Sequence, residues 1–520
     1  MRRTIVSLLT VGLLAVGTAL AAPAAQAAPA EPAAPALPPA PAPPPVTWGA
    51  CEAPALQQAR AQCGFVTVPM DYAEPAGATI QIAVSRVRHT VPESRFQGAM
   101  LVNPGGPGGP GLSLSRLGAS VPKGAGAAYD WIGFDPRGVG TSKPALSCDA
   151  DYGGYNRPDF QPANGAEKAW LPKTKAYADA CKAKGGKLLE NLRTEDTVRD
   201  MDQIRQALGQ KQINYYGFSY GTFLGQVYAT MFPDKVRRMV LDGVVDSRHW
   251  WYQGNLNQDV AFEKNIGVFF DWVAKYDAVY HLGNSGDAVE KRFYDEREKL
   301  RKAPAGGKIG SSEWTDIFLR AGYNVGEWPA TAQAFVAGAI KQDSAALIAA
   351  YDSAASPTDD NNYAVYLATQ CTDAPFPTSY STWKADNTRV DKVAPFETWG
   401  NAWYNAPCLS WPVEPGPAPK VDGSKVDGGP LLLSETNDGA TPYAGALHAR
   451  ELFPNSRLIE GVGGTTHSAS LSGVACTDDK IADYLATGKL PERAAGNRSD
   501  AQCEPLQPPD PTKPAAPAGG

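Results

Sequence analysis

The sequence predicts an α/β protein: a mostly parallel sheet with helices on both faces, and a large helical cap inserted between the late strands. Three observations carry that expectation. Short apolar runs alternate with helix-period segments between residues 65 and 245, as in a parallel sheet covered on both sides. The next stretch, 247–425, is rich in Trp and Tyr at helical spacing, and its roughly 180 residues far exceed an ordinary connection. Sheet-like runs then resume at 430–433 and 457–459.

The elements follow in order. Residues 65–69 and 80–87 read as opening strands. Residues 99–102 form a short apolar run that stops at a glycine-rich loop, and 131–134 form another. Residues 195–208 read as a helix, because Val198, Met201, Ile204 and Leu208 recur at helical spacing. Residues 213–216 are a strand, 220–231 a helix and 238–245 a strand. Met239, Val240 and Leu241 are consecutive, which is how a strand buried on both faces reads. In the insertion, Val268, Phe269, Trp272, Val273 and Tyr276 line one helical face.

The chain has 520 residues, enough for one large α/β domain and a second, inserted one. Its net charge of −6 argues against a nucleic-acid partner, which calls for a basic surplus. Arg2 and Arg3, an apolar stretch over 5–22, and small Ala25 and Ala27 read as an export signal over 1–27. The stretch is short for a span and is followed by Pro23, so no stable membrane anchor is expected. Residues 28–46 are a Pro/Ala-rich linker or pro-segment that cannot build a core. The core runs over 47–246 and 426–503, the cap over 247–425, and 504–520 is expected to be a disordered Pro-rich tail. Eight cysteines in an exported chain read as disulfides. They fall into neighbour couples: Cys51 with Cys63, Cys148 with Cys181, Cys371 with Cys408, and Cys476 with Cys503. A secreted, extracellular monomer is the expectation.

Gly217–Phe218–Ser219–Tyr220–Gly221 is G-x-S-x-G between a strand and a helix, the context in which that motif presents a nucleophilic serine. A serine hydroxyl needs a base, and the base an orienting acid. The chain has five histidines, and only His467 lies in the loop after the last apolar run. The acid belongs after the preceding strand, in Ser434–Glu435–Thr436–Asn437–Asp438. Asp438 is preferred over Glu435, because its D-x-x-T-P turn aims a short carboxylate across the end of the sheet. An oxyanion needs two N–H donors. Tyr220 supplies one, and the loop from Asn103 to Gly111 the other, assigned to Gly106 with Gly105 next to it. No metal or organic cofactor is implied.

Taken together, these motifs resemble the α/β-hydrolases of the proline iminopeptidase branch, and more closely the secreted bacterial tripeptidyl aminopeptidases. The resemblance rests on N-P-G-G-P-G-G from Asn103, G-F-D-P-R-G-V-G from Gly133, Y-G-F-S-Y-G-T from Tyr216 and D-G-A-T-P-Y from Asp438. Trp251 to Leu256 and the Cys371–Thr372–Asp373 step add to it. It implies a serine peptidase that releases tripeptides, or tetrapeptides, from free N-termini of peptides and proteins through an acyl-enzyme. Two departures stand out: Pro104 where iminopeptidases carry His, and Ser468 where relatives often carry Gly. An N-terminal ammonium needs buried carboxylates, and Asp259, Glu263 and Asp373 are the cap candidates. Arg137 in D-P-R-G reads as a structural brace. The alternatives are an esterase or lipase using the same triad, and a binding protein on the same scaffold. The second is disfavoured because all three catalytic residues are present. Activity is expected to fall below about pH 6, because the base must be neutral and a free imidazole titrates near 6.5.

Overall fold

A computed structural model describes residues 38–249, 251–355 and 360–513. The export signal and most of the linker lie outside the described residues, as does the end of the tail.

The centre is a ten-stranded sheet in the order β1-β2-β3-β5-β4-β6-β7-β8-β9-β10. The first three strands are β1 (Gly49–Ala50), β2 (Gln62–Pro69) and β3 (Thr79–Val87). They pair antiparallel with one another, and β3 pairs antiparallel with β5 (Asp130–Phe134). From β5 onward every pairing is parallel, through β4 (Ala99–Asn103), β6 (Ile213–Phe218), β7 (Val236–Asp242), β8 (Leu431–Glu435), β9 (Arg457–Gly461) and β10 (Ala501–Cys503). Leu101, Ile132, Tyr215, Leu241 and Leu432 are fully buried in these strands, each side chain contributing roughly 1.5–3 kcal/mol. β1 and β10 escape a sequence reading because runs of two and three residues are too short to show a period. The helix Glu167–Gly185 was likewise not anticipated; it carries Pro172 inside and has no clean apolar stripe.

Strand order reverses where β4 lies between β5 and β6. In open α/β sheets, ligands bind outside the carboxyl ends of the strands at such a point. The glycine-rich loop follows β4 and the G-x-S-x-G turn follows β6, so topology alone brings these two motifs side by side.

The insertion contributes to two cores. Phe262, Phe269, Trp272, Phe293, Trp314, Phe318 and Trp328 form an aromatic cluster of its first half. Its second half, with Leu367, Trp383, Trp399 and Trp403, joins the sheet's own cluster through Phe160 and Trp170. Trp170 stacks on Trp403 at 6.0 Å between ring centres. The segment before the elbow therefore helps hold the cap down.

All eight cysteines are paired, Cys51–Cys63, Cys148–Cys181, Cys371–Cys408 and Cys476–Cys503. Arg137 is buried, meets Asp200 through two nitrogens at 2.7 Å each, and donates to the Met70 and Asn191 carbonyls. It is a brace between β2 and the helix Thr194–Ala207. The tail corrects the sequence expectation of disorder as far as residue 513. Leu506 N–H donates to Glu435 Oε1 at 3.1 Å, and Trp272 Nε1 donates to the Pro509 carbonyl at 3.2 Å. Leu506 also packs on the cap's aromatic cluster. A Pro-rich segment cannot build a core, but it can lie extended on one already built. No helix among the described residues is long and apolar enough to cross a membrane.

Candidate active site

Ser219 stands at the junction of β6 and the helix Tyr220–Met231 with φ 54° and ψ −127°. Such backbone strain in a non-glycine residue costs on the order of 1–3 kcal/mol and clusters at active sites. The turn closes because its flanks are small: a Cβ on Gly217 would come within 2.5 Å of the Gly221 carbonyl. Ser219 N–H donates to the Asp242 carbonyl at 2.9 Å, tying the elbow to the end of β7.

Asp438 and His467 come together after β8 and β9. His467 Nδ1 meets Asp438 Oδ2 at 2.8 Å and Oδ1 at 3.1 Å. The Asp438 carboxylate is in turn fixed by Ala440 N–H and Thr441 N–H, both at 2.9 Å, and by the Thr441 hydroxyl at 2.7 Å. With Nδ1 facing a carboxylate, the proton sits on Nδ1. Among the described residues Nε2 is buried without a hydrogen-bond partner, and it is the nitrogen left to accept one. Burial works against an imidazolium here, but the charge and hydrogen bond of Asp438, with Asp242 behind them, outweigh it. The imidazole is held above its ordinary value. Asp242 is itself buried, which pushes its carboxyl up to about 6. Its Oδ2 accepts Ser470 N–H at 2.8 Å, and its carbonyl accepts the Ser468 hydroxyl at 3.2 Å. One residue therefore anchors both the elbow and the histidine loop. Ser468 takes φ 58°, the left-handed region that favours glycine.

Glu435, the rival acid, does not meet His467. Its carboxylate accepts Thr466 N–H at 2.5 Å and Leu506 N–H, so it braces the histidine loop from behind. Burial pushes it up to about 7.

On the other side of Ser219 lies the loop after β4. Gly105 presses so close that a Cβ there would sit 2.8 Å from Ser219 Cβ and 2.9 Å from Tyr220 N. The assignment of Gly105 as an anion donor needs correction, because its N–H is spent on Asn103 Oδ1 at 2.9 Å. Gly106 lines the cavity together with Ser219 and Tyr220. Tyr220 is held by its hydroxyl, 2.7 Å from Thr194 Oγ1.

The cavity over Ser219 has a volume of about 960 Å³ and lies between core and cap. Cap residues Asn255, Tyr366, Asn401, Tyr404 and Glu397 face it. The three acids expected to hold an ammonium are placed differently from one another. Asp259 is buried and accepts Asn401 Nδ2 at 2.8 Å. Glu263 accepts Phe396 N–H at 2.8 Å. Asp373 accepts both Thr194 N–H at 2.7 Å and the Thr194 hydroxyl at 2.5 Å. Its carboxylate caps a core helix and, through Thr194, steadies Tyr220. None of the three expected acids, Asp259, Glu263 and Asp373, is among the cavity-lining residues. Glu397 was not singled out from sequence. It is buried and it lines the cavity. Burial and the neighbouring Asp259 push it well above the usual carboxylate range. Asp259 itself is pushed up to about 8, chiefly by burial.

The fold, the Ser219 turn at the end of β6 and the paired Asp438 and His467 define the class. The chain belongs to the α/β-hydrolase fold family, whose profile matches residues 98–469. Within it, the chain is 41% identical over 486 residues to a tripeptidyl aminopeptidase of Streptomyces lividans, covering 90% of this chain and 88% of that one. It is 34% identical over 516 residues to a carboxylesterase B of Mycobacterium tuberculosis, covering 93% and 96%. It is 29% identical over 481 residues to the serine protease Hip1 of the same organism, covering 86% and 90%.

Proposed function

We propose that this protein is a secreted serine exopeptidase that releases tripeptides from free N-termini of peptides and proteins. The observation that carries the exopeptidase reading is Glu397, a buried acid that faces the same cavity as Ser219. A neutral ester gives such a group nothing to bind. An N-terminal ammonium supplies donors and a positive charge, which favours the ionised form of Glu397 against the burial and the neighbouring Asp259 that push it up. The likeness to the Streptomyces tripeptidyl aminopeptidase supports three residues as the length released. The four disulfides are consistent with an oxidising compartment.

In this reading His467 Nε2 takes the Ser219 proton as the hydroxyl attacks the scissile carbonyl. Tyr220 and Gly106 N–H groups hold the oxyanion, and Asp438 stabilises the imidazolium. His467 then protonates the leaving amine, and water releases the peptide from the acyl-enzyme.

Two results are expected. Glu397→Gln should lower kcat/KM on a chromogenic tripeptide amide about 100-fold, the usual scale for losing one partner of a buried charge pair. N-acetylated substrate should be cleaved poorly by both forms. Equal cleavage of free and acetylated substrate would sink the exopeptidase reading, and preference for simple acyl esters would favour an esterase, as the carboxylesterase relative suggests. The second result is a pH profile. The base must be neutral, and His467 is held above its ordinary 6.5. Activity should therefore be lost as pH falls through that raised value, sooner than for an unassisted imidazole. A kcat profile flat to pH 5 would exclude His467 as the base.

A further inference from the structure

The cap helix Tyr252–Lys275 carries Gln258, Phe262 and Asn265 at spacings of four and three, hence on one face. All three meet the turn that bears Asp438. Gln258 Nε2 donates to the Ala440 carbonyl at 2.5 Å. Phe262 packs on Gly439, where a Cβ would come within 2.6 Å of its ring. Asn265 Nδ2 donates to the Asn437 carbonyl at 2.9 Å. The same amide nitrogen reaches the Thr465 carbonyl at 2.9 Å, two residues before His467, and the Gly322 carbonyl at 3.0 Å. Next to Gly322, the Tyr323 carbonyl accepts His467 N–H at 2.8 Å.

Asn265 is fully buried, and among the described residues its Oδ1 has no partner. An amide present only to fill space would be better replaced by an apolar side chain, since an orphaned buried acceptor costs about 1–3 kcal/mol. What the amide provides is direction. Apolar packing tolerates sliding, whereas an NH₂ whose two hydrogens are shared among three carbonyls pins three segments to each other. Those segments are the acid turn, the histidine loop and the end of the cap helix Ser311–Tyr323.

We propose that Asn265 is a positioning residue, which holds the Asp438 turn and the His467 loop in register and makes their alignment depend on a seated cap. The inference rests on Ser219, Asp438 and His467 being the catalytic groups. A cap that both lines the cavity and sets the acid–base pair couples substrate seating to catalytic competence. The charges facing His467 are Asp438 and Asp242, and Glu435 bonds the preceding residue, Thr466.

The test is Asn265→Ala in the full-length enzyme, with active sites counted by a serine-directed phosphonate. We expect kcat to fall about 10- to 100-fold, the scale of an ångström-level misplacement, with KM for the tripeptide amide unchanged. A small acyl ester that does not reach the cap should lose rate by the same factor. The acid limb of kcat should move to lower pH as the Asp438–His467 pairing loosens. Unchanged kcat per active site, or a loss confined to KM, would overturn the proposal. Should Asn265→Ala not fold, Gln258→Ala reads the same junction: a downward shift of the acid limb supports the proposal, and an unshifted limb overturns it. Asp438→Asn runs beside both. Full activity there would fault the assignment of the triad, whereas inactive Asp438→Asn with unaltered Asn265→Ala faults only the role of Asn265.

Discussion

Ser219→Ala is expected to lower kcat on a free-N-terminus tripeptide amide by about 10⁶-fold, the scale seen when a serine nucleophile is removed. The residual rate would come from the oxyanion donors and binding alone. The substitution removes one oxygen and leaves the turn's backbone, whose strained φ of 54° is imposed by its surroundings, as it was. Thermal stability should therefore barely change. Steady-state hydrolysis with a melting curve checks both, and mass spectrometry after a serine-directed phosphonate should show one adduct in the parent and none in the variant. A variant within tenfold of the parent would remove Ser219 from the mechanism.

The second large effect is expected from Asp438→Asn, a fall in kcat of about 10⁴-fold at neutral pH. The argument is one of tautomers. Ala440 and Thr441 N–H groups hold Oδ1 of the side chain, so an asparagine would keep its oxygen there. Its NH₂ would then face His467 Nδ1, now 2.8 Å from Oδ2. The imidazole would respond by carrying its proton on Nε2, where it cannot accept one from Ser219. Glu435→Gln is the comparison. Because Glu435 accepts N–H groups from Thr466 and Leu506 and does not touch the imidazole, its loss should cost about 1–3 kcal/mol of stability and little of kcat. The opposite ranking, with Glu435→Gln inactive and Asp438→Asn active, would exchange the roles of the two acids.

The elbow was legible because its constraints are local. Glycines flank the serine, a strand precedes it and a helix follows, all within a few residues. That Asp438 rather than Glu435 meets His467 was legible for a similar reason: the D-x-x-T step folds back on its own carboxylate. The acid that faces the cavity was not. Asp373 looked as good as any cap carboxylate, yet its partner is Thr194, far away in sequence. Glu397 sits among Phe396, Thr398 and Trp399, where an acid reads as an ordinary solvated charge. The tail misled in the other direction. Its composition forbids a core of its own and says nothing about Glu435 and Trp272 waiting to bind it.

Sequence by itself determined the alternation of the longer strands with helices, the order of the motifs along the chain, the turn at Ser219, the acid turn at Asp438 and the loop that carries His467. These depend on backbone geometry over a handful of neighbouring residues. Only the tertiary structure decided which acids are buried, that the Gly105 N–H of the glycine loop is spent on Asn103, and that a cap asparagine binds the acid turn to the histidine loop. Burial and hydrogen-bond partnership are set by segments that meet only after the cap has closed on the sheet, and no local pattern records them.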